Sequence, residues 1–176
     1  PWKTLSSKPI YANRWMSLRE DVAQLPDKST TVYGVVTFGD CVGVVPFVDE
    51  AHVMLVRQYR YVFGENHRWE IPTGGVGEGE SFEQAAQREL AEEAGYRAGR
   101  LSHLSSYYTS KSVCHETAHL YLGEALSPSQ ETPDDTEFLE RRVFPFDQAL
   151  GMALAGEIMD SMSVLGMVLA ARNRGL

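Results

Sequence analysis

Two near-continuous apolar runs, CVGVVPFV (residues 41–48) and HVMLVRQYRY (52–61), constrain the fold of this chain more than any other feature. A strand with one wet face alternates apolar and polar residues, because successive side chains point to opposite sides. Strands that stay apolar at nearly every position are covered on both faces. The Asp49-Glu50 pair between them reads as a turn. Further β signal surrounds them. IYANRWMSLREDVAQL (10–25) and STTVYGVVTF (29–38) flank a hairpin turn at PDKS, and RWEIP (68–72) is a short strand stopped by proline. HLSSYYTS (103–110), ETAHLYLGEAL (116–126) and EFLERRVFPF (137–146) extend the pattern.

The period changes after residue 80. Phe82, Ala85, Ala86, Leu90, Ala91 and Ala94 fall at helical spacings, Ser81 is a suitable N-cap, and Gly95 ends the helix. Two more helices are expected over 146–155 and 159–174, the second with a stripe of Met162, Leu165, Val168 and Leu169. Strands, a helix, strands, then helices describe an α+β protein with a mixed sheet and helices packed on it. SPSQETPDDTE (127–137), rich in Ser, Pro, Thr and acid, reads as a long surface loop.

At 176 residues one domain is the default, and 43% hydrophobic content is ordinary for a globular protein. The net charge of −8 argues against a nonspecific nucleic-acid or anionic-membrane surface. It leaves room for a small phosphorylated substrate, because a bound metal ion supplies local positive charge. Two cysteines, Cys41 and Cys114, make neither a disulfide framework nor a zinc set, which points to a reducing cytoplasm. No apolar run is long enough to span a bilayer, and the first residues lack a signal-peptide pattern. The start on Pro rather than Met suggests a longer or processed chain.

The helix carries the chemistry. Glu89 lies three residues from Glu92 and four from Glu93, so the three carboxylates share a face. Like charges at that spacing cost a few tenths of a kcal/mol per pair (about 0.2–0.5), and only Arg88 stands among them. Two readings of the residues are open: a solvated face, and a cage for Mg²⁺ or Mn²⁺, which prefer carboxylate oxygens. The upstream glycines let the backbone fold back toward the helix, where a carbonyl could join a metal shell.

The pattern extends over the whole segment. Gly74, five residues, Glu80, seven residues, then Arg88-Glu89-Leu90-Ala91-Glu92-Glu93-Ala94-Gly95-Tyr96 matches every fixed position of the Nudix box. The chain resembles the Nudix hydrolases, which cleave nucleoside diphosphates linked to another moiety with the help of divalent metal. VRQYR (56–60), WEIPTGG (69–75) and GEIMDSMSVLGMVLA (156–170) are similar to the dimeric ADP-ribose pyrophosphatase-like branch of that family, in the expected order. The resemblance implies a Nudix fold, a mixed sheet sandwiched between helices. It also implies an N-terminal antiparallel β segment (1–40) that helps form a homodimer, followed by the hydrolase domain (41–176).

Residue roles follow from the same resemblance. Glu89 and Glu93 are implied as principal metal ligands and catalytic groups, with Glu92 ligating directly or through water and the Thr73 carbonyl as a further ligand. Gly74, Glu80, Arg88 and Gly95 are structural, Arg88 pairing with Glu80; Glu78 and Glu83 face solvent. In related pyrophosphatases a glutamate follows a Y-P-S-P-G-like stretch after the box. Here that stretch is YTSKSVCHE (108–116), so Glu116 is the candidate base, unless it merely opens a strand. Thr109, Lys111 and Ser112 replace both prolines and the glycine, which bears on the substrate. Lys111 either meets a phosphate or is an exposed loop lysine.

Trp15 and Tyr33 align with aromatics that stack on the base, although ordinary sheet packing would also use them. Arg57 and Arg60 suit phosphate or ribose oxygens, and Glu70 either joins them or pairs with Arg60. His115, His119 and Cys114 read as structural. No diadenosine-type tyrosine follows the box and no coenzyme A signature precedes it. The expected reaction is hydrolysis of ADP-ribose or another nucleotide sugar to a nucleoside monophosphate and a sugar phosphate. The alternatives are a diadenosine polyphosphate or modified nucleoside triphosphate as substrate, and a nucleotide-sensing module without catalysis.

Overall fold

A computed structural model describes residues 1–66, 68–129 and 138–175. In chain order the strands of the first half are β1 (Lys3–Ala12), β2 (Ser17–Gln24), β3 (Thr30–Thr37), β4 (Cys41–Pro46), β5 (His52–Arg57), β6 (Tyr59–Arg60), β7 (Glu65–Asn66) and β8 (Thr73–Gly75). Helix α1 (Phe82–Glu89) runs into a π-helical turn (Leu90–Ala94). Then follow β9 (Tyr96–Tyr108), β10 (Cys114–His115), β11 (Thr117–Pro128), β12 (Glu140–Pro145), α2 (Phe146–Leu154) and α3 (Ser161–Arg174). The chain divides into two compact units, Pro1–Asp40 with Tyr107–Thr117, and Cys41–Ser106 with Ala118–Leu176.

The first unit is a four-stranded sheet in the order β1-β2-β3-β10. β1, β2 and β3 are antiparallel neighbours, and β10 runs parallel to β3, with Cys114 opposite Val36. The run 10–25, expected as one strand, is broken. Asn13 Oδ1 accepts from the N–H groups of Trp15 (2.8 Å) and Met16 (2.9 Å), closing an Asx turn that reverses the chain between β1 and β2. The turn between β2 and β3 falls at PDKS. There Asp27 Oδ1 accepts from the Ser29 N–H (3.0 Å) and hydroxyl (2.6 Å), and Lys28 takes φ 70°.

The second unit holds the core. Its main sheet has the order β8-β4-β11-β9, with β4 parallel to β11 and antiparallel to β8. β5 pairs antiparallel with β12 and is tied to the end of β4 by a bridge between Phe47 and Val53. RWEIP makes a single bridge, Glu70 to Val56, rather than a strand. Pro72 has no N–H to donate, and its carbonyl accepts from Val44 (3.0 Å) as the chain passes into β8.

β4 shows why its sequence is apolar throughout. Val42 and Val44 pack with Ala85, Ala86 and Leu90 on the α1 side. Gly43 and Val45 face α3: a Cβ on Gly43 would lie 2.5 Å from Met162 Sδ, and one on Gly166 would lie 3.0 Å from Val45 Cγ2. The sheet is therefore sandwiched between helices.

The stripe expected on α3 is corrected in part by this packing: Met162 does meet Gly43, but Met162, Leu165 and Leu169 are only half-buried. The buried positions are Ser163, Gly166, Met167, Ala170 and Ala171, while Val168 is 41% exposed. The helix approaches β4 closely where Gly166 meets Val45, and Ser163 Oγ accepts from the Ile71 N–H at 2.8 Å. α3 begins at Ser161 behind an Asp160 N-cap. Of the expected loop 127–137, residues 127 and 128 belong to β11, and residues 130–137 lie outside the described residues. Residue 137, expected to open the next strand, lies outside them too.

Candidate active site

Ser81 starts the central helix with a capping box. Its hydroxyl accepts from the Gln84 N–H (3.2 Å), and the Gln84 side chain accepts from the Ser81 N–H (2.8 Å). Gln87 then pins the helix to β9 by pairing with both backbone groups of Ala98, at 3.0 and 2.7 Å. The helix expected to run to Gly95 is continuous but changes character: its last turn widens to π, a form frequent at functional sites. Gly95 caps it in the left-handed region, φ 78°.

Glu89 and Glu93 are buried, 7% and 1% exposed. A buried carboxylate is costly unless paired. Glu93 Oε2 accepts from the Thr73 N–H at 2.7 Å. Glu89 rests against the backbone of Gly74, where a Cβ would stand 2.0 Å from its carboxyl carbon. Any other residue at 74 would push that carboxylate away, which explains the glycine.

Arg88 organises the remaining charge. It grips Glu80 with Nε (3.0 Å) and Nη2 (2.9 Å), and Nη2 also donates to the Gly75 carbonyl (2.8 Å). Nη1 bridges Glu89 Oε1 (2.6 Å) and Glu92 Oε2 (3.1 Å). These partners, Glu80 foremost, push the Arg88 pKa further up. Arg88, joined by the Gly77 N–H, holds the Glu80 carboxyl below its ordinary range against a smaller opposing effect of burial.

Among the described residues no three His, Cys, Asp or Glu groups stand close enough together to hold a cation as they are. The donor set nonetheless fits a hard divalent ion: carboxylates on one helical segment, one of them cradled by a bare Gly74 beside the Thr73 backbone. Arg88 bridges two of them, Glu89 and Glu92, and its single charge offsets part of their repulsion.

The other expected residues fall in separate places. In the second unit, Arg60 pairs with the buried Glu70 through both Nη2 and Nε. Arg57 pairs with Glu140 and lies 4.8 Å from the centre of the Trp69 ring. Both guanidiniums are thus engaged within the protein. His119 is buried and stacked on Phe82, ring centres 3.7 Å apart, with Nδ1 2.8 Å from Ser106 Oγ. In the first unit, Tyr33 and Lys111 line one cavity of about 400 Å³ with Val35, Tyr108, Cys114 and His115. Tyr33 also meets Trp2 edge-on at 5.9 Å. Trp15 is 66% exposed, with the Arg14 guanidinium 4.0 Å from its ring centre. Glu116 is half-buried at the join of β10 and β11.

Sequence reasoning missed Arg141. Its Nε donates to the Glu93 carbonyl (2.5 Å) and its Nη2 to the Glu92 carbonyl (2.9 Å), across 48 and 49 residues of chain. No local pattern marks it, because its partners are backbone atoms on another element.

A family profile described as "NUDIX domain" matches residues 37–162, and one described as "Nucleoside diphosphate sugar hydrolase N-terminal domain" matches residues 2–36. An ADP-ribose pyrophosphatase of Bacillus subtilis (strain 168) is 31% identical over 161 residues, covering 90% of this chain and 86% of the relative. A methanol dehydrogenase activator of Bacillus methanolicus is 32% identical over 165 residues, covering 93% and 89%. A solved structure described as an ADP compounds hydrolase superposes with a TM-score of 0.88 over 99% of this chain and 96% of its own; at 21% identity it speaks for the fold. Box, cradle and profile converge on the same residues: the chain belongs to the Nudix hydrolases.

Proposed function

We propose that this protein hydrolyses the pyrophosphate bond of a nucleoside diphosphate sugar, with ADP-ribose the first compound to test. The products are a nucleoside monophosphate and a sugar phosphate. The observation that carries the reading is the Glu89 carboxylate seated on bare Gly74 beside the buried Glu93 and the arginine-tethered Glu92. Nucleotide-sugar chemistry is supported by the N-terminal profile and by relatives that bear the name ADP-ribose pyrophosphatase.

Nudix pyrophosphatases are generally dependent on divalent metal, and Mg²⁺ or Mn²⁺ suits this oxygen-only donor set. When bound, such an ion neutralises the diphosphate and acidifies water. Glu89, Glu92, Glu93 and the Thr73 carbonyl would hold it. Arg88 keeps the loop that carries Glu80 in register with the helix. Glu116 takes the proton of the attacking water, and the leaving phosphate departs as its own anion. Trp15 and Tyr33 offer ring faces to the base and Lys111 a charge to a phosphate, while Arg57, Arg60 and Glu70 would contact the phosphates or ribose by exchanging their present ion pairs for substrate. The reading includes a cytoplasmic homodimer built through the N-terminal sheet. Among the described residues no helix is long and apolar enough to cross a membrane.

The test is a panel of nucleotide sugars, diadenosine polyphosphates and modified nucleoside triphosphates with Mg²⁺ or Mn²⁺, with products identified. Preference for a nucleotide sugar, cleaved to two monophosphates, supports the reading. No cleavage of any compound would instead leave a nucleotide-sensing module. Glu116→Gln separates the base from the metal face: a loss under about tenfold hands proton transfer to another group, since general-base catalysis contributes at least 10²-fold.

A further inference from the structure

The metal-bearing segment is held from outside at its C-terminal end. Three carbonyls there accept bonds from distant residues. Gly95 O accepts from the Ser129 N–H (2.9 Å), Glu93 O from Arg141 Nε (2.5 Å) and Glu92 O from Arg141 Nη2 (2.9 Å). The last turn contains no basic residue of its own, so the guanidinium supplies the positive charge that the C-terminal end of the helix dipole favours. Gly95 leaves room for it: a Cβ there would stand 3.2 Å from Arg141 Nη1. The arm is anchored. Arg141 sits on β12 opposite Val56 of β5, which is fully buried.

We infer that Arg141 is a positioning residue for the metal face. Its two-pronged hold on consecutive carbonyls fixes the backbone from which the Glu92 and Glu93 carboxylates project. Both carboxylates hang from this π turn, and rotation about those two peptides would swing them. Arg141 opposes that rotation without touching substrate or metal. The inference rests on the metal reading proposed above and extends it to a residue outside the box.

The experiment compares Mn²⁺ binding to the full chain, followed by electron paramagnetic resonance, in the wild type, Arg141→Met and Arg141→Lys. Arg141→Met should bind Mn²⁺ about tenfold more weakly, the lower end for loss of a residue that orients metal ligands. It should also lower kcat while KM for the nucleotide stays within about twofold, the pattern of a lost transition-state interaction. Arg141→Lys, which keeps the charge but has one donor nitrogen in place of the fork, should recover part of the affinity. A wild type that binds Mn²⁺ and an Arg141→Met variant that binds it equally well overturns the inference, even if the variant melts earlier, because simple end-capping predicts that result. Should Arg141→Met not fold, wild-type affinity in Arg141→Lys overturns it. A wild type that binds no Mn²⁺ removes the metal reading, and this inference with it.

Discussion

Glu93 is 1% exposed, and its carboxylate accepts from the Thr73 N–H at 2.7 Å. Neutral glutamine has nearly the same shape and can accept that bond, so Glu93→Gln should leave the thermal midpoint near wild type. It removes the charge that would hold the ion. The expected loss in kcat is on the order of 10²–10³, the range for deleting one preorganised electrostatic group. Steady-state kinetics with Mg²⁺, beside a melting curve, checks both halves; near-wild-type turnover would refute the assignment. Gly74 acts at the same scale by what it lacks, since only hydrogen fits beside the Glu89 carboxyl.

At the scale of elements, the glycine-rich loop and α1 are joined through Glu80 and Arg88. The Glu80 carboxyl has a lowered folded pKa, caused first by Arg88. A depressed carboxylate pKa stabilises the fold above the unfolded value, about 4.3, and the contribution fades as pH falls through the folded value. Acid titration should therefore weaken the wild type over that window, and Glu80→Gln should flatten that part of the profile of melting temperature against pH. An unchanged acid profile would count against this tie.

α3 offers a second test at this scale. Ser163 is fully buried and accepts from the Ile71 N–H at 2.8 Å. Ser163→Ala leaves a buried backbone donor without that acceptor, which costs about 1–3 kcal/mol. Chemical denaturation measures it, and a loss below about 0.5 kcal/mol, within the spread of neutral substitutions, would show that the bond contributes little.

For the whole molecule, β1 is the open edge of its sheet and is exposed at every residue, including Leu5, Ile10 and Tyr11. A long uncovered edge strand is normally blunted or paired, and a second copy would cover this one. The proposed homodimer predicts that sedimentation gives twice the chain mass at micromolar concentration. Ile10→Glu should shift the population toward monomer while the main sheet stays folded. A wild type that sediments as a monomer would end the proposal.

The sequence by itself determined the parts whose causes lie close together in the chain. The three- and four-residue spacings of Glu89, Glu92 and Glu93 put them on one side of an α-helix, and the apolar run of β4 requires cover on both sides. Ser81 and Gly95 mark the helix ends by capping chemistry that needs no distant partner. The tertiary structure decided what depends on meetings between remote residues. Arg141 reaches the turn that carries Glu92 and Glu93 across 48 residues, and its partners are carbonyls, which every residue has. The inward face of α3 was read only in part, because hydrophobicity picks out Met162, which does meet Gly43, but passes over Gly166, which the short distance to Val45 requires. The break between β1 and β2 hung on a single Asn13 side chain folding onto its own backbone. Local spacing is written in the order of residues; packing distance and backbone partnership arise only when distant segments meet.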